Sequence, residues 1–312
     1  MVDLNKIIQA KRTINDFVYK TPFALAPKLS KLYGAEVYLK SENLQRTGAY
    51  KIRGAYNKIA HLTDEERAHG VICASAGNHA QGVAMSAQKF GVRAVIVMPE
   101  ATPLLKISGT KALGAEIILQ GDNFDEAYAF ALEYAKEHNL TFVHPFNDEF
   151  VQAGQGTIAL EMIEEVADLE YIVVPVGGGG LATGVCSCAK QINPDIKIIA
   201  VAVRLDHGPR RTQRHIRRLV PMQLHIVEPD ERGDIVHRIH RRIHEHADRL
   251  HAMQLTHNLA RRLGGNISSA LFSKDKTDVV RARFLCRTRR RDGFHPAHLY
   301  AHIITPIQSS SY

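Results

Sequence analysis

The chain has 312 residues, 45% of them hydrophobic and 23% charged, which is the composition of a globular protein long enough for one large domain or two joined ones. No run of about 18 apolar residues is present, which excludes a transmembrane helix. The start, MVDLNKIIQAKRTINDF, is charged throughout and lacks the apolar stretch of a secretory signal.

In chain order, residues 1–17 have the apolar spacing of an amphipathic helix. Short β-rich runs then alternate with helical periods. Strands are predicted at 35–40 (AEVYLK), 71–74 (VICA), 94–99 (AVIVMP), 115–120 (AEIILQ), 141–146 (TFVHPF), 171–176 (YIVVPV) and 196–203 (IKIIAVAV). Helices are predicted at 78–91, at 103–114 with Pro103 in the first turn, and at 123–139 with acids early and Lys136 and His138 late, as the helix dipole favours. Near-continuous apolar strands joined by helices predict an α/β fold, with parallel sheets covered by helices on both faces. In such sheets ligands bind in the loops that leave the carboxyl ends of the strands.

Three loops carry the residue types of a chemical site. In TGAYKIRGAYN (47–57), Lys51 stands at a loop-to-helix entry between Tyr50 and Ile52, with Arg53 two places on. An amine among apolar groups and beside a cation loses basicity and becomes nucleophilic at neutral pH, whereas an exposed lysine is only a solvated charge. In CASAGNHAQGVA (73–84), Ser75, Ala76, Gly77, Asn78 and His79 lead from a strand into a helix. Ser and Asn suit a plain helix cap, and the amides of the same turn suit a carboxylate. Asn78 also offers both a donor and an acceptor, for a carboxylate or a phenolic oxygen. In VPVGGGGLATG (174–184), a strand runs into Gly177, Gly178, Gly179 and Gly180 before another helix. Backbone amides freed of Cβ atoms can cradle a small anion at the positive end of that helix. The spacing is neither the dinucleotide fingerprint nor a P-loop, and a flexible turn is the alternative. An amine, an anion cradle and a carboxylate-binding turn are together the parts needed for pyridoxal phosphate and an amino acid.

SENLQRTGAYKIRGAYNKI (41–59), ASAGNHAQGVA (74–84), IVMPEATPLLKI (96–107), HPFND (144–148), GQGTIALE (154–161) and VPVGGGGLATG resemble, in order and spacing, the threonine ammonia-lyases (threonine dehydratases). These belong to the tryptophan-synthase-β-like class of pyridoxal-phosphate enzymes. The resemblance covers about residues 1–203. It implies the two-domain fold type II of that class, with residues 1–50 and 151–203 in a large cofactor-binding domain and 51–150 in a small one. It implies conversion of L-threonine to 2-oxobutanoate and ammonia, and of L-serine to pyruvate, in the cytoplasm, in threonine catabolism or isoleucine biosynthesis. Lys51 would bind the cofactor aldehyde as an imine and later act as base at Cα. Tyr50 would flank the cofactor ring, and Asn78 would hydrogen-bond its phenolic oxygen. Gly177, Gly178, Gly179, Gly180 and Leu181 would hold the phosphate, and Ser75, Gly77, Asn78 and His79 would grip the substrate carboxylate. Serine racemase-like relatives place a serine where this chain has Ala76, so dehydration is expected over racemisation. A homo-oligomer without membrane or metal is expected, and the length leaves no room for an appended regulatory domain.

Residues 1–203 carry 19 Lys and Arg against 22 Asp and Glu, a net −3, whereas residues 204–312 carry 21 against 10, a net +11. Of the 17 histidines, 12 follow Arg204. This tail reads as a changed reading frame or a recombined terminus, with only a weak helical period at 237–265. A nucleic-acid patch is the lesser reading of its Arg/His run. The family places a Ser, Thr or Cys against the cofactor's ring nitrogen near the C-terminus. GGNISSA (264–270) and Cys286 are the candidates here. Loss of the matching third would uncover apolar sheet at about 25 cal/mol per Å², which makes an inactive or weak cofactor-binding relative one alternative function, a serine racemase-like enzyme being the other. Cys73, Cys186, Cys188 and Cys286 have no metal-ligand spacing and are expected to be free thiols of a reducing compartment.

Overall fold

The computed structural model describes residues 1–202, 224–227 and 299–304. Two sheets organise them. The first contains β3 (Val71–Ala74), β4 (Ala94–Met98), β5 (Glu116–Leu119) and β6 (Thr141–Phe142) in the order β5-β4-β3-β6, all parallel. The second contains β1 (Phe23–Leu25), β2 (Glu36–Ser41), β7 (Tyr171–Val176), β8 (Lys197–Ala202), β9 (Leu224–Val227) and β10 (Leu299–Ile304) in the order β1-β2-β10-β7-β8-β9.

The apolar runs fall where the sequence puts them. β3 and β4 are buried along their whole length, as strands covered on both faces must be. Helix α5 (Asn78–Phe90) packs against β3 and β4 with the face of Ala80, Val83, Ala84 and Ala87. Helix α7 (Phe124–Glu137) covers the other face with Ala127, Ala131 and Ala135. Asn123 caps α7, its side chain accepting from the amides of Asp125 and Glu126.

Three differences from the sequence reading have physical causes. The parallel pattern is broken at one edge, where the three-residue β1 pairs antiparallel with β2. The run 141–146 pairs only over Thr141–Phe142, because Pro145 has no amide to donate and the chain turns out of the sheet before it. Beyond residue 203, where the pattern shows no strand, β9 extends the sheet at β8 and β10 lies between β2 and β7, parallel to both. The weak helical period at 237–265 and the ring-nitrogen candidates 264–270 and Cys286 lie outside the described residues.

Four helices form the body beside the second sheet: α1 (Leu4–Ile14), α3 (Lys51–Ala60), α8 (Glu149–Glu165) and α9 (Gly180–Ile192). Their close crossings explain the glycines of GQGTIALE. A Cβ on Gly154 would stand 2.5 Å from the Arg53 carbonyl of α3, and one on Gly156 would stand 3.0 Å from the Gly184 carbonyl of α9. Gly154→Ala should therefore destabilise the fold by about 1–3 kcal/mol through overpacking against a backbone that cannot yield. Urea unfolding would show this as a lowered midpoint, and an unchanged midpoint would mean that the crossing relaxes freely.

Beneath α3 lies a buried charge network. Arg53 and Glu42 are 0% exposed and joined by two hydrogen bonds of 2.8 Å. Arg53 also donates to Glu161 at 2.6 and 3.0 Å and to the Thr157 hydroxyl at 3.1 Å. Lys40 closes the group at 2.6 Å from Glu161 and 2.7 Å from the Thr21 carbonyl. Two cations thus meet two carboxylates away from water.

Candidate active site

Lys51 is the first residue of α3, with Tyr50 at the N-cap. Its ammonium donates to the Pro145 carbonyl at 2.7 Å and lies 5.5 Å from the centre of the Tyr50 ring. Removal of water from the ammonium lowers its pKa from 10.5 to about 8. Arg53 is not the cause, contrary to the expectation from sequence. Two residues on, about half a helical turn, its guanidinium points away to Glu42 and Glu161. Tyr50 packs against the core of the second sheet, and its phenol is pushed up by burial.

The turn 75–79 lies at the carboxyl end of β3. Its N-cap is Gly77 and makes no side-chain cap, so neither Ser75 nor Asn78 caps the helix as a plain cap would. Instead the Ser75 hydroxyl accepts the Gly77 amide at 3.2 Å, and Asn78 opens α5 half-buried. The first amides of α5 have no intrahelical acceptor and face outward, as an anion would require. His79 is buried, and its Nε2 donates to the Val143 carbonyl at 2.9 Å while Nδ1 has no partner. Burial, helped by the nearby charge of Lys51, drives its pKa down to about 3. The imidazole is neutral, so any grip on a carboxylate at this position comes from the backbone amide.

The glycine loop follows β7. Gly179 takes a φ of 91°, a conformation that favours glycine. Gly178 and Gly180 are required by packing. A Cβ on Gly178 would stand 2.5–2.6 Å from carbons of the Phe146 ring, and one on Gly180 would stand 2.8 Å from the Phe146 Cα. A Cβ on Gly177 would meet nothing within 4 Å among the described residues. Leu181 contributes its side chain to the core, leaving its amide for the start of α9. A lysine amine of lowered basicity, a glycine cradle with room at Gly177 and two helix N-termini fit an aldehyde that carries a phosphate.

The segment 143–147 draws these pieces together, since its carbonyls and ring touch His79, Lys51, Gly178 and Gly180. The predicted strand at 141–146 hid this role. HPFND is one of the motifs shared with the resembling family, but nothing local marks which groups its residues meet. Nothing local marks Gly82 either: a Cβ there would lie 3.2–3.3 Å from the backbone of Lys51 and Ile52, so α5 seats directly on the turn that presents the amine.

Cys73, Cys186 and Cys188 are buried thiols outside any disulfide, and burial raises the last two to about 11 and about 12. Among the described residues, no group of His, Cys, Asp or Glu has the arrangement to hold a metal ion, and no helix is long and apolar enough to cross a membrane.

The titration of Lys51 gives a testable consequence. The unfolded chain binds its proton up to about pH 10.5 and the folded chain only to about pH 8, so folding becomes more favourable as pH rises between the two. Without cofactor, the stability of the wild type relative to Lys51→Met is expected to rise across that window. His79 contributes nothing there, being already neutral. A flat difference would mean that the amine is solvated.

Comparison with known proteins agrees with this geometry. L-threonine ammonia-lyase of Thermotoga maritima is 56% identical over 201 residues, covering 64% of this chain and 50% of its own length. The processed threonine deaminase isoform 2 of Solanum lycopersicum superposes with a TM-score of 0.60 at 44% identity, over 64% of this chain and 56% of that one. Maize serine racemase superposes with a TM-score of 0.66 at 31% identity, over 73% and 77%. The chain thus spans half the length of the Thermotoga enzyme. A family profile described as pyridoxal-phosphate dependent enzyme matches residues 14–269, and with the cradle and the perturbed lysine it establishes that the chain belongs to the pyridoxal-phosphate dependent enzymes.

Proposed function

We propose that the chain is a pyridoxal-phosphate dependent ammonia-lyase that converts L-threonine to 2-oxobutanoate and ammonia, and L-serine to pyruvate. The observation that carries this reading is the convergence on segment 143–147 of Lys51, the 75–79 turn and the glycine loop. The similarity to threonine ammonia-lyase and threonine deaminase supports it. The reading assigns residues 1–50 with 151–203 to the large domain and 51–150 to the small one. It places the enzyme in the cytoplasm as a homo-oligomer.

In this reading Lys51 would hold the cofactor through its aldehyde. The amides of Gly177, Gly178, Gly179, Gly180 and Leu181 would hold the phosphate. Tyr50 would flank the ring, and Asn78 would hydrogen-bond its phenolic oxygen. When bound, the cofactor supplies the electron sink that makes the substrate's Cα proton acidic. The amides of the Ser75–His79 turn, with the Ser75 hydroxyl and Asn78, hold the substrate carboxylate and fix which Cα–H bond faces Lys51. Once the substrate amine has replaced it on the aldehyde carbon, the freed Lys51 amine, neutral in a useful fraction near pH 8, would take that proton at Nζ. The β-hydroxyl leaves as water, and water returns at Cα as the ketone oxygen while ammonia departs. Ala76 offers no acid to the opposite face of Cα, which favours elimination over the racemisation named for the maize neighbour.

The test is the purified chain with pyridoxal phosphate. A visible absorption band, followed by 2-oxobutanoate on adding L-threonine, is expected. A band without turnover would overturn the lyase reading in favour of a cofactor-binding relative, and D-serine formed from L-serine would favour a racemase.

A further inference from the structure

We propose that residues 144–147 form a strap that couples the glycine loop to Lys51, with Phe146 as the positioning residue that transmits the coupling. The proposal deepens the reading above and rests on it. The segment leaves β6 at the edge of the first sheet and crosses to α8. His144 is held at the near end by edge-on contacts with the rings of Phe142 and Tyr128, at centroid distances of 6.1 and 6.0 Å. Its Nδ1 accepts the amides of Phe146 at 3.2 Å and Asn147 at 2.8 Å, which folds the strap into a tight turn. The Phe146 ring stands edge-on to His144, with centroids 4.6 Å apart and planes at 86°. At the far end the Phe146 carbonyl accepts from Gln152 Nε2 of α8 at 2.9 Å.

Between these anchors the strap touches both halves of the proposed site. The Phe146 ring fills the space that a Cβ on Gly178 would need, and the Cα, Cβ and carbonyl oxygen of Phe146 line the space beside Gly180, so the glycine loop cannot shift toward Phe146 without moving it. The preceding carbonyl, of Pro145, accepts the Lys51 ammonium at 2.7 Å. One peptide unit therefore separates the group that seats the anion cradle from the group that holds the amine. Tightly packed neighbours pass on such displacements because the interior has little free volume. An anion settling in the loop would thus change how firmly Lys51 is held, with no contact between anion and lysine.

The experiment separates the two halves of the cofactor by using pyridoxal and inorganic phosphate as independent probes on the full chain. The Lys51 amine and the pyridoxal aldehyde join with loss of water, and borohydride reduces the C=N bond to a secondary amine that peptide mass spectrometry locates. In the wild type, phosphate is expected to strengthen capture of pyridoxal at Lys51 by about fivefold or more, the lower range of coupling between sites. In Phe146→Ala the phosphate effect should fall below about twofold, while capture of pyridoxal alone persists. An equal phosphate effect in both would overturn the strap and leave the function standing. Failure of the wild type to capture pyridoxal phosphate at Lys51 would overturn both. Gly178→Ala, which drives a Cβ into the ring, should weaken pyridoxal phosphate by about tenfold, and Gly178→Ala combined with Phe146→Ala should recover most of it. No recovery would mean that the ring is not the transmitting group.

Discussion

Replacing Lys51 with alanine is expected to abolish the visible cofactor band and to lower threonine elimination by roughly 10³- to 10⁴-fold, the upper range for removal of a positioned base. Two roles converge on this one amine: it anchors the aldehyde and it accepts the Cα proton. No other described side chain can replace it. The imidazole of His79 is neutral with a pKa near 3 and is committed through Nε2 to Val143. Arg53 is tied into its ion network below the helix. Lys40 is buried against Glu161 and the Thr21 carbonyl. Lys51→Ala should fold normally, because the alanine methyl suits the first turn of a helix and removes a poorly solvated charge. The measurement is the absorption spectrum with pyridoxal phosphate beside a 2-oxobutanoate assay. A band retained in the variant would place the aldehyde on another amine and remove Lys51 from the reaction.

The second large effect concerns stability. Arg53→Met leaves Glu42 and Glu161 facing each other, with Lys40 as the remaining cation. Removing one member of a buried ion network is expected to cost about 3–5 kcal/mol, because the carboxylates lose their partner without regaining water. Against a total stability of about 5–15 kcal/mol, such a loss unfolds a sizeable fraction of the chain. The network links β2, the turn after it, α3 and α8, so its failure should also disorder the first turn of α3 and with it Lys51. The same group sets an acid limit. Burial alone would raise the pKa of Glu161, but Arg53 and Lys40 outweigh it and hold the carboxyl below its ordinary 4.5. The folded chain therefore binds this proton less readily than the unfolded one. Its stabilising contribution is complete above pH 4.5 and is lost as pH falls through the lowered value. Urea unfolding of Arg53→Met and of the wild type across acid pH should show a large offset near neutrality that narrows as the medium is acidified. A constant offset would mean that Glu161 does not titrate with the fold.

Much of the architecture was legible in the sequence. Continuous apolar runs such as VICA and YIVVPV became fully or almost fully buried parallel strands at the predicted positions, because a strand covered on both faces must be apolar at every residue. The loops at the carboxyl ends of those strands held the motif residues for the same topological reason. Lys51 stood at a helix start and Gly179 needed positive φ, both matters of local backbone. Tertiary structure alone decided where the side chains went. Arg53 turned from Lys51 to Glu161, 108 residues away, and Lys51 found Pro145, 94 residues away. Gly178 and Gly180 proved to be spaces for Phe146, and Gly154 and Gly184 proved to be helix crossings. The tail supplied β10 to the middle of a sheet although its pattern marks no strand. Local spacing determines what a residue's own backbone can do. Which distant atom removes water from an amine, or occupies the volume a Cβ would take, is set only when the elements pack.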